Sequence, residues 1–327
     1  MDIKQELKKR ADFFNTQLEK FLRDGQPKTL YDAARHMPLA GGKRLRPSLS
    51  MISCEAVNGD ITKVMPLAIA LELIHNFTLV HDDIMDKSKL RRNLPTVHVR
   101  YGERTAINAG DLLFTKSFES MHRISGDCSV FKNVEFGLID CTREICEGQQ
   151  LDMEYEKRRI VAEEEYLEMV RKKTAVLFQY AAEGGAILGG GTKEEVNALN
   201  EYGLNLGIAF QIWDDYLDMS SSEETLGKDI GNDIRNGKKT LIAVHSLNKA
   251  TRQDKRFLEK TFGNRTASEQ DVKQVFNLFK KIGSIGYAKN TAINHCDKAK
   301  KALAVLKDTD AKQILMQLAT YSISREK

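Results

Sequence analysis

Residues 65–86 decide the fold, and they read M-P-L-A-I-A-L-E-L-I-H-N-F-T-L-V-H-D-D-I-M-D. Apolar side chains fill most positions of this stretch, without the strict alternation that a half-buried strand shows. The pattern predicts a long, mostly buried helix from Met65 to Met85. The end of this helix carries a triplet of aspartates with the spacing D-D-x-x-D: Asp82, Asp83 and Asp86.

A second triplet with the same spacing follows another apolar helical run, from Val196 to Leu217, and consists of Asp214, Asp215 and Asp218. Further helical runs extend over Tyr166–Leu188 and Ile314–Ile323. No segment shows a convincing series of alternating strands, and no repeat or linker divides the chain. We therefore predict an all-α fold, with helices packed on helices in a single domain that spans residues 1–327.

The composition excludes several classes of protein. Over 327 residues, 50 Lys and Arg oppose 46 Asp and Glu, and the net charge of +4 is too mild to indicate nucleic acid. The five cysteines form no C-x-x-C pair, which is typical of reduced cysteines in a cytosolic protein. Glu72, His75 and Asn76 interrupt the longest apolar run, so no transmembrane segment is predicted. We expect a cytoplasmic protein.

The two triplets together indicate a site for divalent cations and phosphate. In a helix, Asp82 and Asp86 share a face, and so do Asp214 and Asp218. Carboxylates suit Mg²⁺, which takes its remaining ligands from water and substrate phosphates. A single triplet would more often be a solvated acidic face. Two copies, each beside a basic loop, favour the metal and diphosphate interpretation.

The basic segments close to the triplets are candidates for contacts with phosphate. Gly41-Gly42-Lys43-Arg44-Leu45-Arg46-Pro47 places three cations on a sharp turn, and arginine binds phosphate through two hydrogen bonds. Taken alone, this segment could equally be an exposed turn. Arg91-Arg92 follows the first triplet, and Gly227 to Asp233 follows the second as a candidate lid. His75 lies two helical turns before Asp82, where a lone histidine is more often a satisfied core residue.

In their order along the chain, these segments resemble the trans-isoprenyl diphosphate synthase family. The matches are G-G-K-R-x-R-P at 41–47, D-D-x-x-D at 82–86, R-R-G-x-P-T at 91–96 with Asn93 in place of glycine, G-Q-x-x-D at 148–152, K-T at 173–174, the second D-D-x-x-D at 214–218 and G-K-x-x-G-x-D at 227–233. Each motif alone is weak to moderate evidence, whereas their order makes the resemblance specific. It covers nearly the whole chain.

The resemblance implies the isoprenoid synthase fold, a bundle of long antiparallel helices around a deep central cavity, usually as a homodimer. The implied activity is that of a Mg²⁺-dependent prenyltransferase, which condenses isopentenyl diphosphate with allylic diphosphates and releases diphosphate. By motif, Mg²⁺ would be bound by Asp82, Asp86 and Asp214, with Asp83, Asp215 and Asp218 in support. Isopentenyl diphosphate would be bound by Lys43, Arg46, His75 and Arg92. The allylic substrate would contact Arg91, Lys173, Thr174, Gln211, Lys228 and Lys238.

The length of the product is the open question within this family. Phe77 and Thr78 precede the first triplet, where bulky residues can close the pocket for the growing chain in the family. The pattern resembles archaeal-type geranylgeranyl diphosphate synthases, so we expect a C20 product with Phe77 as the floor. Farnesyl (C15) and geranylfarnesyl (C25) diphosphate remain alternatives, and Phe77 could equally be a packed core residue.

Other functions explain fewer of these features. A class I terpene cyclase would need neither the basic turn at 41–47 nor a second complete triplet. His81-Asp82 occurs in HD-type phosphohydrolases, but that activity leaves the second triplet unexplained. A non-catalytic partner subunit would be expected to lose one triplet, and this chain keeps both.

Overall fold

The computed structural model describes residues 2–220 and 233–324. Helices dominate these residues, in agreement with the all-α prediction. In chain order they are α1 Ile3–Phe21, α2 Lys28–His36, α3 Leu45–Ala56, α4 Ile61–Met85, α5 Val97–Tyr101, α6 Glu103–Met121, α7 Cys128–Lys157, α8 Glu163–Val170, α9 Val176–Leu188, α10 Lys193–Ser220, α11 Leu241–Lys249, α12 Arg252–Thr261, α13 Glu269–Ile282, α14 Ser284–Ala302 and α15 Asp310–Ser322. Short 3₁₀ turns occupy Pro38–Ala40 and Leu303–Val305.

The chain forms two compact units. The first comprises Met1–Asp140, Tyr180–Asn200 and Val305–Leu315, and the second comprises Cys141–Gln179, Glu201–Ala304 and Met316–Lys327. The first unit contains the earlier triplet together with the basic turn, and the second contains the later triplet. The prediction of a single domain stays a prediction.

Helix α4 is the central helix of the first unit. It begins at Asp60, whose side chain accepts a hydrogen bond from the backbone N–H of Thr62 at 2.9 Å, and it packs most extensively against α3 and α6. By length and composition alone α4 could cross a membrane, but 67% of its most apolar window is buried inside the protein. Buried Glu72 and Asn76 lie within it. Helix α4 is therefore the buried helix that the sequence predicted, and it begins four residues before the predicted Met65.

Between α4 and α5, the first unit contains a two-stranded antiparallel hairpin, which is the only sheet in the described part of the chain. Strand β1 is Leu90–Arg91 and strand β2 is Leu94–Pro95, with Leu90 opposite Pro95 and Arg91 opposite Leu94. The hairpin carries the two arginines that follow the first triplet. The position of the hairpin therefore determines the positions of both arginines.

The second unit has its own hydrophobic core. Tyr166, Ile212, Leu241, Val275 and Phe279 are among its fully or nearly fully buried side chains. They come from α8, α10, α11 and α13, so helices far apart in sequence share one apolar interior. This interior supports the C-terminal end of α10, where the second triplet lies.

The sequence predicted one helix over Tyr166–Leu188, and the structure differs there. Helix α8 ends at Val170, residues Arg171–Ala175 form a π-helical turn, and α9 begins at Val176. Two helix starts carry capping hydrogen bonds between residues with the capping-box spacing. Thr192 and Glu195 bond each other's backbone N–H groups, and Ser268 and Asp271 form a capping box.

Candidate active site

The first aspartate triplet lies where α4 ends, and its middle member is buried. Asp83 is only 1% exposed, and both of its carboxylate oxygens accept hydrogen bonds from Arg91 at 2.8–3.0 Å. Asp82 is half-buried and Asp86 is exposed. Solvent can therefore reach the two outer carboxylates, while the middle one anchors Arg91. The negative end of the α4 dipole adds to the attraction for cations at this position.

Arg92 belongs to the hairpin turn and has different partners from Arg91. Arg92 and Asn93 have positive φ angles of 52° and 60°, as a two-residue type I′ turn requires. Asparagine adopts this left-handed conformation more readily than most residues, so Asn93 can replace the glycine of the family motif. The departure from the motif is thus compatible with the turn.

The Arg92 side chain lies against the glycine pair of the basic turn. The Arg92 guanidinium donates hydrogen bonds to the carbonyl oxygens of Gly41 and, at 3.5 Å, Met37. A Cβ atom on Gly42 would lie 3.0 Å from the guanidinium carbon, and Gly42 has a φ of +142°. The positive φ angles of both glycines favour glycine at these positions, and Gly42 in addition leaves room for the Arg92 guanidinium.

The three cations of the basic turn differ in exposure. Lys43 is exposed and Arg46 is half-buried. Arg44 is only 4% exposed, and its side chain forms an ion pair with Glu72 of α4. Only Lys43 and Arg46 are therefore accessible enough to meet a ligand.

His75 lies among the arginines of the first unit. Its pKa is held well below the ordinary value, first by burial and then by the positive charges of Arg46, Arg92, Arg91 and Arg44. A neutral imidazole in such surroundings can hydrogen-bond a phosphate without adding to the charge repulsion. The structure thus brings His75, Arg46 and Arg92 into electrostatic range of one another.

Phe77 is half-buried and packs against α6. Its ring centroid lies 5.4 Å from that of Phe114 and 5.1 Å from that of His81. His81 itself fits against Gly110, where an added Cβ would approach its Nε2 atom to 2.2 Å. These contacts make Phe77 part of an aromatic group between α4 and α6.

The second triplet repeats the arrangement of the first. Asp215, the middle member, is 6% exposed, whereas Asp214 and Asp218 are half-buried. Tyr166 donates to Asp215 Oδ2 at 3.3 Å, and Gln211 donates to Oδ1 at 3.3 Å. Burial raises the pKa of Asp215, and the nearby charge of Lys238 opposes this rise.

Lys238 provides the cation for this buried aspartate. Its Nζ atom lies 3.5 Å from Asp215 Oδ1 and 3.8 Å from Asp233 Oδ2, and Asp215 raises the pKa of Lys238. The neighbouring Lys239 is 3% exposed and donates to the carbonyl oxygen of Gly237 at 2.9 Å. Burial lowers the pKa of Lys239 to about 8. Lys228, which the sequence also proposes, lies outside the described residues.

The π-helical turn carries Lys173 and Thr174. Lys173 forms an ion pair with Asp152 of α7, and Thr174 donates to Gln211 Oε1 at 3.0 Å. Gly148, one helical turn before Asp152, makes the close contact possible, because a Cβ there would lie 2.3 Å from the backbone nitrogen of Lys173. Motifs that are distant in sequence are therefore neighbours in the second unit. The π turn is a further indication, because such turns often occur at functional sites.

The donor set of the triplets fits Mg²⁺ that is shared with a diphosphate. Across residues 2–220 and 233–324, no three His, Cys, Asp or Glu side chains converge on a preformed metal position. Mg²⁺ is commonly bound by one or two carboxylates and completes its octahedral shell with water and substrate phosphates. Carboxylates at the ends of two helices, with fixed cations beside them, match this mode of binding.

Sequence reasoning did not assign roles to several residues of these networks. Arg44, Glu72, Asp152 and Tyr166 hold charged or polar groups of the candidate site, as described above. Arg44 and Asp152 belong to recognised motifs, which was a usable signal. Glu72 gave a weaker signal, because it is a carboxylate within an apolar run. Tyr166 gave no signal beyond helix periodicity.

Comparison with known proteins identifies what the chain is similar to. Residues 27–279 match the family described as Polyprenyl synthetase. The chain is 44% identical over 327 residues to the geranylgeranyl diphosphate synthase of Methanosarcina mazei, covering 100% of this chain and 99% of the relative. It is 44% identical over 326 residues to a short chain isoprenyl diphosphate synthase of Methanothermobacter thermautotrophicus, with 100% and 99% coverage. The crystal structure of geranylgeranyl pyrophosphate synthetase from Pyrococcus horikoshii superposes with a TM-score of 0.93 at 44% identity, covering 99% of this chain and 98% of that one.

Proposed function

Because the chain belongs to the polyprenyl synthetase family, we propose that it is a prenyltransferase that joins isopentenyl diphosphate to allylic diphosphates and releases diphosphate. The observation that carries the proposal is end-to-end identity of 44% with a geranylgeranyl diphosphate synthase. Retention of both triplets, each with its middle aspartate buried beside a cation, supports it further.

Isopentenyl diphosphate is proposed to bind the cations of the first unit. Lys43, Arg46, His75 and Arg92 are the candidate ligands. The electrostatic proximity of Arg46 and Arg92 to His75 supports a common anion site. The hydrogen bonds of Arg92 described above go to backbone carbonyls rather than carboxylates, so its positive charge is not neutralised by those contacts.

The allylic diphosphate is proposed to bind through Mg²⁺ and a second set of cations. Asp82, Asp86 and Asp214 would supply carboxylates to Mg²⁺, and Asp83, Asp215 and Asp218 would support them. The proposed direct contacts are Arg91, Lys173, Thr174, Gln211, Lys228 and Lys238. When bound, Mg²⁺ adds positive charge at the diphosphate oxygens. The ion pairs of Arg91 with Asp83 and of Lys238 with Asp215 support the role of these carboxylates as anchors for cations.

The proposed chemistry needs no protein nucleophile. Breaking the allylic C–O bond yields a diphosphate anion and an allylic carbocation, and Arg91, Lys173 and Lys238 stabilise the departing anion. The double bond of isopentenyl diphosphate then attacks the cation, and loss of a proton restores a double bond. The departing diphosphate accepts that proton. Thr174 and Gln211, hydrogen-bonded to each other, orient neutral oxygen dipoles near the positive charge.

The proposed product is geranylgeranyl diphosphate, with Phe77 as the floor of the chain pocket. Relatives at 41–44% identity that are named geranylgeranyl diphosphate or pyrophosphate synthases support the C20 length. Farnesyl and geranylfarnesyl diphosphate are the alternative products. The packing of Phe77 on Phe114 supports a fixed ring at this position.

A direct assay tests this function. The purified chain is incubated with Mg²⁺, isopentenyl diphosphate and, in turn, the C5, C10 and C15 allylic diphosphates, and the products are dephosphorylated and sized. We expect all-trans C20 chains and release of diphosphate. A cyclic hydrocarbon formed without isopentenyl diphosphate would indicate a terpene cyclase, phosphate release alone would indicate a phosphohydrolase, and no product would indicate a partner subunit.

We further propose that the protein is a cytoplasmic homodimer. None of the five cysteines, all of which lie in the described residues, forms a disulfide, which suits a reducing compartment. Large apolar side chains are exposed on the first unit, among them Ile107 and Phe114 of α6 and Phe136 and Ile139 of α7. Exposed apolar side chains at helical spacing are typical of a surface that a second copy covers.

A further inference from the structure

Arg44 stands in the middle of the basic turn, yet its side chain is directed into the protein. The guanidinium is enclosed by three oxygen acceptors: Nε donates to Asn15 Oδ1 at 2.9 Å, and the two Nη atoms donate to Glu72 Oε1 and to the Pro38 carbonyl oxygen. The ring centroid of Phe14 lies 5.9 Å from the guanidinium carbon. With each nitrogen engaged and 4% of the residue exposed, Arg44 cannot contact a substrate.

Glu72 connects this buried cation to the helix that carries His75. It is 3% exposed and lies one turn before His75 on α4. Its Oε1 atom also accepts a hydrogen bond from Asn76 Nδ2 at 3.0 Å. The ion pair therefore joins the turn before α3 to the middle of α4.

The backbone at Arg44 shows why such a connection is needed. Arg44 has a φ of 47°, in the left-handed region that residues other than glycine rarely adopt, and α3 begins at the next residue without a side-chain cap. Residues are held in this region only where their surroundings determine the conformation strongly. Lys43 and Arg46 lie on either side of this strained position, so the direction of both side chains depends on it.

We infer that the Arg44–Glu72 ion pair is a positioning device for isopentenyl diphosphate binding. It holds the left-handed turn against α4, so that Lys43 and Arg46 face the same anion site as His75 before the substrate arrives. The inference rests on the proposed function, because it names the device that assembles the proposed isopentenyl site. Arg44 and Glu72 are positioning residues and do not touch the substrate.

The test separates positioning from stability. Removing one partner alone leaves a buried charge and destabilises the fold, whereas replacing both by apolar residues removes the connection without an unpaired charge. The main variant is therefore R44M/E72M. We expect unchanged helix content, a dissociation constant for isopentenyl diphosphate that rises about tenfold or more, and a KM for the allylic substrate within about twofold of wild type.

A control ion pair involves α3, the helix that follows the basic turn. Glu55 of α3 forms an ion pair with Arg10 at 2.7 Å, and Glu55 lies at the end of α3 that is distant from the basic turn. Glu55→Gln should leave the affinity for isopentenyl diphosphate unchanged. Isothermal calorimetry with isopentenyl diphosphate measures this affinity independently of turnover. If R44M/E72M folds and binds with wild-type affinity, the inference is wrong.

A milder variant tests the inference even if the double substitution prevents folding. Asn15→Ala keeps the ion pair and removes only the acceptor for Nε, so we expect about threefold weaker binding of isopentenyl diphosphate. Unchanged affinity in that variant would equally contradict the positioning role. If the wild-type chain binds no isopentenyl diphosphate, the proposed function itself is wrong. If the wild type binds and the variants bind equally well, only the present inference fails.

Discussion

Asp83 and Asp215 occupy the middle of their triplets and share one physical arrangement. Each is buried, and each is paired with a cation that comes from a later segment of the chain, Arg91 for Asp83 and Lys238 for Asp215. Burying a carboxylate without a partner is costly, so the cation is required for the fold. In return, the carboxylate fixes the position of a cation close to the outer aspartates. Within each five-residue motif, the middle aspartate thus has a structural role, and the two outer aspartates are left for the proposed metal site.

This division predicts different effects of neutralising neighbouring aspartates. Asp83→Asn breaks the buried pair, and because Arg91 is partly exposed we expect a loss of about 2–3 kcal/mol in the free energy of unfolding. Asp82→Asn should leave stability nearly unchanged while lowering turnover by about a hundredfold or more. Urea denaturation and the condensation assay measure the two effects. The same loss of stability in both variants would contradict the division.

Phe77 provides a prediction about specificity. Phe77→Ala removes the ring that packs on Phe114, and a pocket closed by that ring would become deeper. We therefore expect products longer than C20, measured by chain-length analysis after dephosphorylation. Phe13→Ala is the matched control, because Phe13 is 41% exposed on α1 of the same unit. If the product distribution of Phe77→Ala equals that of the control, Phe77 is not the floor.

The types of residue in the site could be predicted from the sequence, but their burial could not. Two D-D-x-x-D triplets beside basic loops indicate carboxylates that face a metal and a diphosphate. The local sequence alone does not distinguish Lys43, Arg44 and Arg46, and only the family motif selects Lys43 and Arg46. The structure buries Arg44. Which cation turns inward depends on Glu72, and no local pattern reports a contact between positions so far apart in the chain.

The π-helical turn at Arg171–Ala175 is the element that assembles the second unit's part of the site. It presents Lys173 to Asp152 and Thr174 to Gln211. Two glycines on neighbouring helices allow this approach, since a Cβ on Gly148 would lie 2.3 Å from Lys173 N and one on Gly207 would lie 2.5 Å from the Cα of Ala175. The turn is held between α7 and α10 by backbone contacts, which cannot yield as the end of a side chain can.

Gly148→Ala should therefore damage both stability and activity. The new methyl group would meet backbone atoms, so α7 must shift away from Lys173, and we expect a loss of about 1–3 kcal/mol in the free energy of unfolding together with reduced turnover. Gly286→Ala is the control, because Gly286 is helical with nothing within 4 Å of the added Cβ. That variant should gain up to about 1 kcal/mol from helix propensity. Equal stability of the two variants would contradict the packing argument.

At the level of elements, apolar periodicity predicted the long helices but missed the π turn. The capped starts of α10 and α13 follow from local signals in the sequence, whereas α4 begins four residues before the predicted Met65. A π turn inserts one extra residue into a helix, and the polar stretch Lys172-Lys173-Thr174 carries no apolar repeat that could reveal the insertion. The sequence did not predict the hairpin either, because strands of two residues are too short to show an alternating pattern.

For the whole molecule, the prediction of a single domain can be tested by unfolding. Trp213 is the only tryptophan, and it belongs to the second unit. Its fluorescence therefore reports on that unit, whereas far-ultraviolet circular dichroism reports on all helices. If residues 1–327 form one cooperative domain, both signals should give the same midpoint in guanidinium chloride. Separate midpoints, measured at one protein concentration, would contradict the prediction.

The oligomeric state is the second property of the whole molecule, and it depends on the exposed apolar residues of the first unit. Phe136 is 64% exposed and lies one helical turn from Ile139, which is 43% exposed. A charge placed in a covered apolar surface is desolvated without a partner, so Phe136→Asp should separate the proposed dimer. Light scattering should give about twice the chain mass of 37.0 kDa for the wild type and about that mass for the variant.

The control for this prediction is Val305→Asp, at an apolar residue that is 57% exposed in another segment of the same unit. This variant should remain a dimer. A wild-type chain that is already monomeric would contradict the homodimer, and a dimeric Phe136→Asp variant would place the interface elsewhere.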